Sequence, residues 1–166
     1  MKRTYLFLLI SSLIAPLSAF AEESIFVQVP ALIDPAAPIA AKVKSECGVE
    51  MLLGNHTVSA MSKSGASIKS AATPEEAGLD QFVQLTILSA QGFGGGAWSG
   101  PKSITVRAEL RQGGKAIDST ILTRATNGGA FAGFKGTCSM FERVTVALGK
   151  DVAAWVARSS TKAAPN

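Results

Sequence analysis

The feature that most constrains the fold is a set of segments in which apolar and polar residues alternate. Residues 81–90 and 103–111 each place an apolar side chain at every second position, as in Ile104, Val106 and Ala108, with polar side chains between them. A sheet with one buried face and one wet face requires this period of two. The alternation therefore predicts antiparallel strands with helices or a second layer against one face.

A hairpin is predicted beside these strands. Gln112-Gly113-Gly114 has the composition of a tight turn, and residues 115–124 then return as a third strand. Charged side chains on these strands are predicted to form a ladder on the wet face of the sheet. They are Arg107, Glu109, Arg111, Asp118 and Arg124.

Two amphipathic helices are predicted. Residues 42–62 carry apolar side chains near helical spacing, with an expected bend near Gly54 and an end at Ser64-Gly65. The second helix begins at a capping box, with Ser139 as the cap and Glu142 reaching back to it. Its apolar stripe runs over four turns, and we expect it to fray after residue 157. The stripe consists of Phe141, Val144, Leu148, Val152, Trp155 and Val156.

These elements predict an α+β fold of the order β-α-β-β-β-β-α. It is a two-layer sandwich in which two amphipathic helices cover one face of a mainly antiparallel sheet. We expect one domain over residues 22–158 and a flexible tail over residues 159–166.

Residues 1–21 have the composition of a secretory signal peptide. Lys2 and Arg3 precede a short apolar run, and Ala19-Phe20-Ala21 fits the small-x-small cleavage rule. We predict cleavage after Ala21 and export to the periplasm of a Gram-negative bacterium, with no transmembrane segment in the mature chain. Without Lys2 and Arg3, fourteen basic residues face twelve acidic ones, a net charge of +2 that indicates no nucleic-acid partner.

The chain contains two cysteines, Cys47 and Cys138, and the periplasm promotes disulfide formation. One structural bridge between them is the favoured interpretation, because neither lies in a C-x-x-C motif. The alternative is a redox or metal pair, but the single histidine, His56, does not complete a zinc site with them.

Motif matches in the glycine-rich run 91–103 do not have the context that their chemistry needs. A dinucleotide or phosphate loop requires a following helix, and here Pro101 and an alternating strand follow the glycines. Ser99-x-x-Lys102 likewise lacks the helix start of a serine acyl-enzyme. His56 is interpreted as a surface residue. We therefore predict no catalytic set, no cofactor and no metal, and hence a non-enzyme.

Four aromatic residues lie in two glycine-rich connections and are the candidate partner contacts. Phe93 and Trp98 belong to the first connection, and Phe131 and Phe134 to the second. If both connections lie at one end of the sheet, these side chains could form one apolar contact patch for an envelope protein or lipid. For Trp98 itself, the favoured interpretation is that the side chain folds back over the edge of the core.

The order of elements resembles the small α/β domain of bacterial envelope proteins, including the TolB N-terminal domain and the curli-secretion lipoproteins. The segment GGAFAGFKGTCSMFERVTVALGKDVAAWVA also resembles the end of exported proteins of this kind. The sequence as a whole predicts a soluble periplasmic, non-catalytic protein that binds or helps to assemble an envelope component. Two alternatives remain open: a small-ligand or lipid-binding module, and a hydrolase without a recognisable motif.

Overall fold

The computed structural model describes residues 24–92, 101–126 and 136–163. Within them, six strands form one sheet with the order β3-β1-β4-β5-β6, and β2 pairs with β4. The strands are β1 (Ser24–Gln28), β2 (Leu32–Ile33), β3 (Ser67–Ala71), β4 (Gln81–Gly92), β5 (Lys102–Gln112) and β6 (Lys115–Thr126). The helices are α1 (Ala41–Cys47), α2 (Val49–Met61), α3 (Pro74–Ala77) and α4 (Thr137–Ala163), with a 3₁₀ turn at Ser62–Ser64.

The long strands β4, β5 and β6 pair antiparallel, as the alternation predicts. Gly113 and Gly114 form the turn between β5 and β6, and both have positive φ angles, 54° and 78°. Two successive positive φ angles suit the tight hairpin turns that match the twist of a sheet, and glycine adopts them without strain. The alternating residues of β5 from Ile104 to Leu110 are fully buried, so the predicted inner face is confirmed.

The short amino-terminal strands add parallel pairings to this sheet. β1 lies between β3 and β4 and is parallel to both, and β2 is parallel to β4. Because β4 changes its partner from β1 to β2, a backbone N–H lies between the two pairings. This N–H belongs to Leu85 and donates a hydrogen bond to Oε1 of the buried Gln28 side chain at 3.1 Å. The side-chain amide nitrogen of Gln28 donates to the Ala72 carbonyl at 3.3 Å.

Helices α2 and α4 pack on one face of the sheet and complete the predicted α+β sandwich. The six residues of the predicted α4 stripe are all buried. A smaller cluster of Ala71, Ala77 and Phe82 lies apart from this main core, and short α3 contributes Ala77 to it.

Two glycines allow the helices to approach their neighbours closely. A Cβ atom at Gly149 of α4 would lie 2.8 Å from the carbonyl carbon and oxygen of His56 in α2. A Cβ atom at Gly54 of α2 would lie 2.9 Å from the Gln28 carbonyl oxygen in β1. Real Cβ atoms do not approach backbone atoms this closely, so glycine at position 149 allows α2 and α4 to pack side by side, and glycine at position 54 allows α2 to approach the sheet.

The helix boundaries differ from the prediction. The first helical segment breaks at Gly48, which has a left-handed φ of 53°, and α2 continues through Gly54, where the bend was expected. The chain leaves the helical region at Gly65, close to the predicted end. The capping box at Ser139 is wrong, because α4 begins at Thr137 and the Ser139 hydroxyl donates to the Gly136 carbonyl at 2.8 Å.

The last helix is also longer than predicted. α4 continues beyond residue 157 to Ala163, and Ser159 in this part is buried. Its hydroxyl donates to the Asp118 carboxylate in β6, and the Ser160 hydroxyl donates to Gln81 at 3.1 Å. These bonds fix a polar segment that has little apolar stripe of its own.

The prediction of a charged ladder on the wet face is wrong for Asp118 and Arg124. Asp118 and Arg124 are opposite Leu110 and Ile104 in the pairing with β5, so they share the helix-facing side of the sheet. Their partners are Ser159 and Asp151 of α4. The register shift near residue 117 is the physical cause, since one extra residue moves all later side chains of a strand to the other face.

Candidate binding cleft at the loop end of the sheet

Three neighbouring strands begin or end side by side at one end of the sheet. Gly92 at the end of β4 pairs with Lys102 at the start of β5, and Lys102 pairs in turn with Thr126 at the end of β6. We call this end, at Gly92, Lys102 and Thr126, the loop end of the sheet. The two glycine-rich connections, residues 93–100 and 127–135, lie outside the described residues, but the strand ends to which they attach are adjacent here. A shared contact patch requires that both connections join the same end of the sheet. The strand ends to which they attach do lie side by side at this end.

A cavity of about 480 Å³ opens at the loop end, between β4, β5, α1 and the start of α4. We call it the cleft. Its volume lies within the range of roughly 300–1,000 Å³ that is typical of small-molecule pockets. The cleft is lined by Ala40, Lys42, Val43, Glu46, Cys47, Gly92, Lys102, Gly136, Thr137 and Cys138.

Lys102 is a charged residue in the wall of the cleft and is only 1% exposed. It lies two residues before Ile104 and so shares the helix-facing side of β5. A Cβ atom at Gly92 would lie 2.8 Å from Cδ of Lys102 and 3.3 Å from its Cε, so the lysine side chain passes closely over Gly92. An ammonium group is rarely buried to this extent, because removing it from water is costly unless it has partners. Lys102 does interact within the protein.

The disulfide forms another part of the wall. Cys47 and Cys138 are bonded, with their Cα atoms 5.0 Å apart, and both line the cleft. Cys47 is the last residue of α1, and Cys138 is the second residue of α4. The bridge therefore holds α1 against the start of α4 and fixes the side of the cleft opposite the sheet.

The rim of the cleft is polar and exposed. Lys42 and Glu46 lie on successive turns of α1 with 3.9 Å between Nζ and Oε1, and their side chains are 81% and 57% exposed. Such an exposed pair contributes little to stability. A shallower depression adjoins the cleft, shares Ala40 and Gly92 with it, and extends over Pro38 and Ile39. This depression lies between residues 38–40 and the end of β4, at residues 90–92.

The other residues considered in the sequence are not gathered at the cleft. His56 is not a free surface residue: it is half-buried, and its Nδ1 lies 2.9 Å from Oγ1 of Thr145 between α2 and α4. Ser99 and all four candidate contact residues lie outside the described residues: Phe93, Trp98, Phe131 and Phe134. Their part in a contact surface stays a prediction.

Sequence reasoning missed Lys102 as a site residue, although its signal was present. It was considered only as part of a phosphate loop or of an S-x-x-K motif. The alternation of β5, extended by one step from Ile104, places position 102 on the buried face, and a lysine there is unusual enough to mark a site. Gly92, which pairs with Lys102 between β4 and β5, is part of the same glycine-rich run.

Within the described residues, no three His, Cys, Asp or Glu side chains form a group that could hold a metal ion. In the same part of the chain, no helix has both the length and the apolar character needed to cross a membrane.

No protein-family model and no curated protein matches the sequence. Solved structures do share its fold. A Xanthomonas campestris protein of the DUF330 family has a TM-score of 0.59 at 13% identity, covering 89% of this chain and 92% of that one. A dodecamer of a PelC variant from Paraburkholderia phytofirmans has a TM-score of 0.53 at 14% identity, covering 79% and 85%. A minor lipoprotein from Acinetobacter baumannii has a TM-score of 0.49 at 12% identity, covering 85% and 95%.

At these identities the first two likenesses establish the fold and no function. The fold that the sequence predicts is thus one that occurs among bacterial proteins. The specific resemblance to TolB and to the curli-secretion lipoproteins stays a prediction.

Proposed function

We propose that this chain is an exported, non-catalytic component of the bacterial envelope that binds a partner at the loop end of its sheet. The observation that supports the proposal is that the described residues to which both glycine-rich connections attach line one cleft. Gly92 and Gly136 adjoin these connections, Lys102 follows the first one after Pro101, and all three line the cleft. Aromatic side chains on such connections provide large contact areas at low entropic cost.

Export and cleavage after Ala21 belong to the same proposal. The disulfide supports export, because such bridges form and persist in oxidising compartments such as the periplasm. The PelC variant that shares the fold is a dodecamer, so further copies of this chain are among the partners that the proposal includes.

Photocrosslinking in intact cells tests the proposal. A photoreactive residue replaces Ala40, which is exposed at the rim of the cleft, in the full chain produced with its signal. The matched control places the same residue at Lys115, exposed at the hairpin turn on the opposite end of β5 and β6. We expect a discrete protein adduct at position 40 and none at position 115.

Aromatic substitutions connect this adduct to the two connections. The variants Trp98→Ala and Phe131→Ala should reduce the yield of adduct at position 40 without lowering the amount of exported protein. Equal adduct formation at positions 40 and 115, or no adduct at either, contradicts the proposal. Mass spectrometry of the adduct shows whether the partner is a second copy or another protein.

A further inference from the structure

We infer that helix α1 is a flap over the cleft, that the disulfide holds it in place, and that reduction of the disulfide releases it. The flap comprises residues 41–47. This inference adds regulation to the binding site of the proposed function and rests on that function for what the cleft binds. The attachments of α1 to the rest of the protein support it.

Within the described residues, α1 is held to the rest of the protein mainly by two side chains. Val43 is buried in the main core, and Cys47 packs against that core and is bonded to Cys138 of α4. The exposed side chains of Lys42 and Glu46 pair with each other within α1. A helix of this length is not stable in water by itself. Loss of the disulfide therefore leaves Val43 as the main anchor of α1.

The two ends of α1 allow it to move as a unit. Gly48 separates α1 from α2 with a left-handed φ of 53°, and a Cβ atom there would meet nothing within 4 Å. Ala40, at the other end, has an extended backbone. Hinges are residues of this kind, at the ends of regular elements, that absorb changes in φ and ψ. Because α1 and the start of α4 form the side of the cleft opposite the sheet, displacement of α1 opens the cleft.

The disulfide lies where a reductant can reach it. Cys47 and Cys138 are half-buried, and both line the cleft. The reductant that we assign is a dithiol protein. One of its thiolates attacks a cysteine sulfur and forms a mixed disulfide, and the other cysteine leaves as a thiolate that takes up a proton. The second thiol of the dithiol then displaces the remaining cysteine, so the bridge gains two electrons and two protons while the dithiol becomes a disulfide.

Thiol labelling of the purified mature protein tests whether the bridge is accessible in the folded state. The protein is incubated with dithiothreitol, with or without urea, and quenched in acid. It is then unfolded and labelled with a maleimide polymer that slows gel migration. We expect both cysteines of the folded protein to be reduced at a rate within a hundredfold of the rate in urea. A slower rate, or reduction in urea alone, overturns the inference.

Limited trypsin digestion measures the release of α1. Lys42 and Lys44 are exposed residues of α1, and Lys150 is an exposed residue in the middle of α4. The oxidised parent is compared with the double variant Cys47→Ser/Cys138→Ser. Because loss of the bridge also lowers the stability of the whole domain, cleavage at Lys42 and Lys44 is divided by cleavage at Lys150 in the same digest.

We expect this ratio to be at least tenfold higher in the double variant than in the parent. An unchanged ratio overturns the inference, since the bridge would then not hold α1 in particular. A double variant that is unfolded by far-UV circular dichroism also overturns it, since the bridge would then hold the whole domain.

Photocrosslinking at position 40 in intact cells tests the regulatory role. Ala40 adjoins α1, so we expect the double variant to give at least twofold less adduct than the parent for the same amount of exported protein, and an equal yield overturns the regulation. If the parent gives no adduct but the trypsin ratio rises, the proposed function fails and the flap remains. If the adduct forms and the ratio is unchanged, the flap fails and the proposed function survives.

Discussion

Gly149→Ala should destabilise the fold, although helix propensity favours the opposite result. In the middle of a helix, alanine is more stable than glycine by about 1 kcal/mol. At position 149 the added Cβ atom would lie 2.8–2.9 Å from backbone atoms of His56 and Thr57, which cannot rotate away as a side chain can. Overpacking of this kind costs about 1–3 kcal/mol. Because all three contacts are with backbone atoms, we expect a cost in the upper part of this range, about 2–3 kcal/mol. After subtraction of the gain in helix propensity, the free energy of unfolding should fall by about 1–2 kcal/mol.

Urea unfolding of the oxidised mature protein, followed by far-UV circular dichroism, measures this loss. For a domain near this size it corresponds to a fall in Tm of roughly 2–8 °C. Gly136→Ala is the matched control, because a Cβ atom there meets nothing within 4 Å, and it should be close to neutral. Gly149→Val should lose more than Gly149→Ala. A Gly149→Ala variant as stable as the parent or more stable would refute the account of how α2 and α4 pack.

Three further predictions concern the disulfide, an ion pair and a buried amide. Replacing Cys47 and Cys138 with serine opens a loop with a sequence separation of 91, and the free energy of unfolding in urea should fall by about 2–5 kcal/mol; a loss below about 1 kcal/mol contradicts this. The hydrogen bond from Arg124 lowers the pKa of Asp151, so Arg124→Met should raise that pKa towards its ordinary value in a ¹³C NMR titration. The stability from this pair is present above the ordinary pKa and is lost as the pH falls through the lowered one, so an advantage of the parent protein that persists in strong acid contradicts the assignment. Gln28→Met leaves a buried backbone N–H without its acceptor and should cost about 1–3 kcal/mol in the same unfolding assay, and no measurable cost contradicts the bridging role.

Local patterns predicted the regular elements well. The hairpin follows from alternation and two glycines, and the stripe of α4 follows from helical spacing over four turns. Each of these signals lies within one stretch of sequence, so no knowledge of distant partners is needed. The parallel pairings of β1 and β2 could not be predicted in this way. These strands have five and two residues, and their partners are set by chain segments far away.

Errors arose where one residue changes the direction of many others. The bulge near residue 117 turns Asp118 and Arg124 towards the helices, and alternation alone gives no sign of it. Gly48 and Gly54 look alike in the sequence, but one breaks a helix with positive φ while the other allows close contact with β1. Only the tertiary structure distinguishes these two uses of glycine.

The cleft was foreseen in part. The sequence placed a possible contact surface on the two glycine-rich connections, and the structure brings their attachment points to one edge. Lys102 was not recognised as part of it, since the other side of the cleft is formed by α1 and the start of α4, which come from distant parts of the chain. A charged residue in register with a buried strand face is the signal that would have identified it.

The comparison of photocrosslinking at Ala40 and at Lys115 in intact cells tests the central claim most directly. The two positions are both exposed and lie at opposite ends of the fold. If the loop end of the sheet is the binding face, position 40 gives a discrete adduct that Trp98→Ala reduces, and position 115 gives none. An adduct at position 115 alone, or equal labelling at both positions, would show that the binding face lies elsewhere.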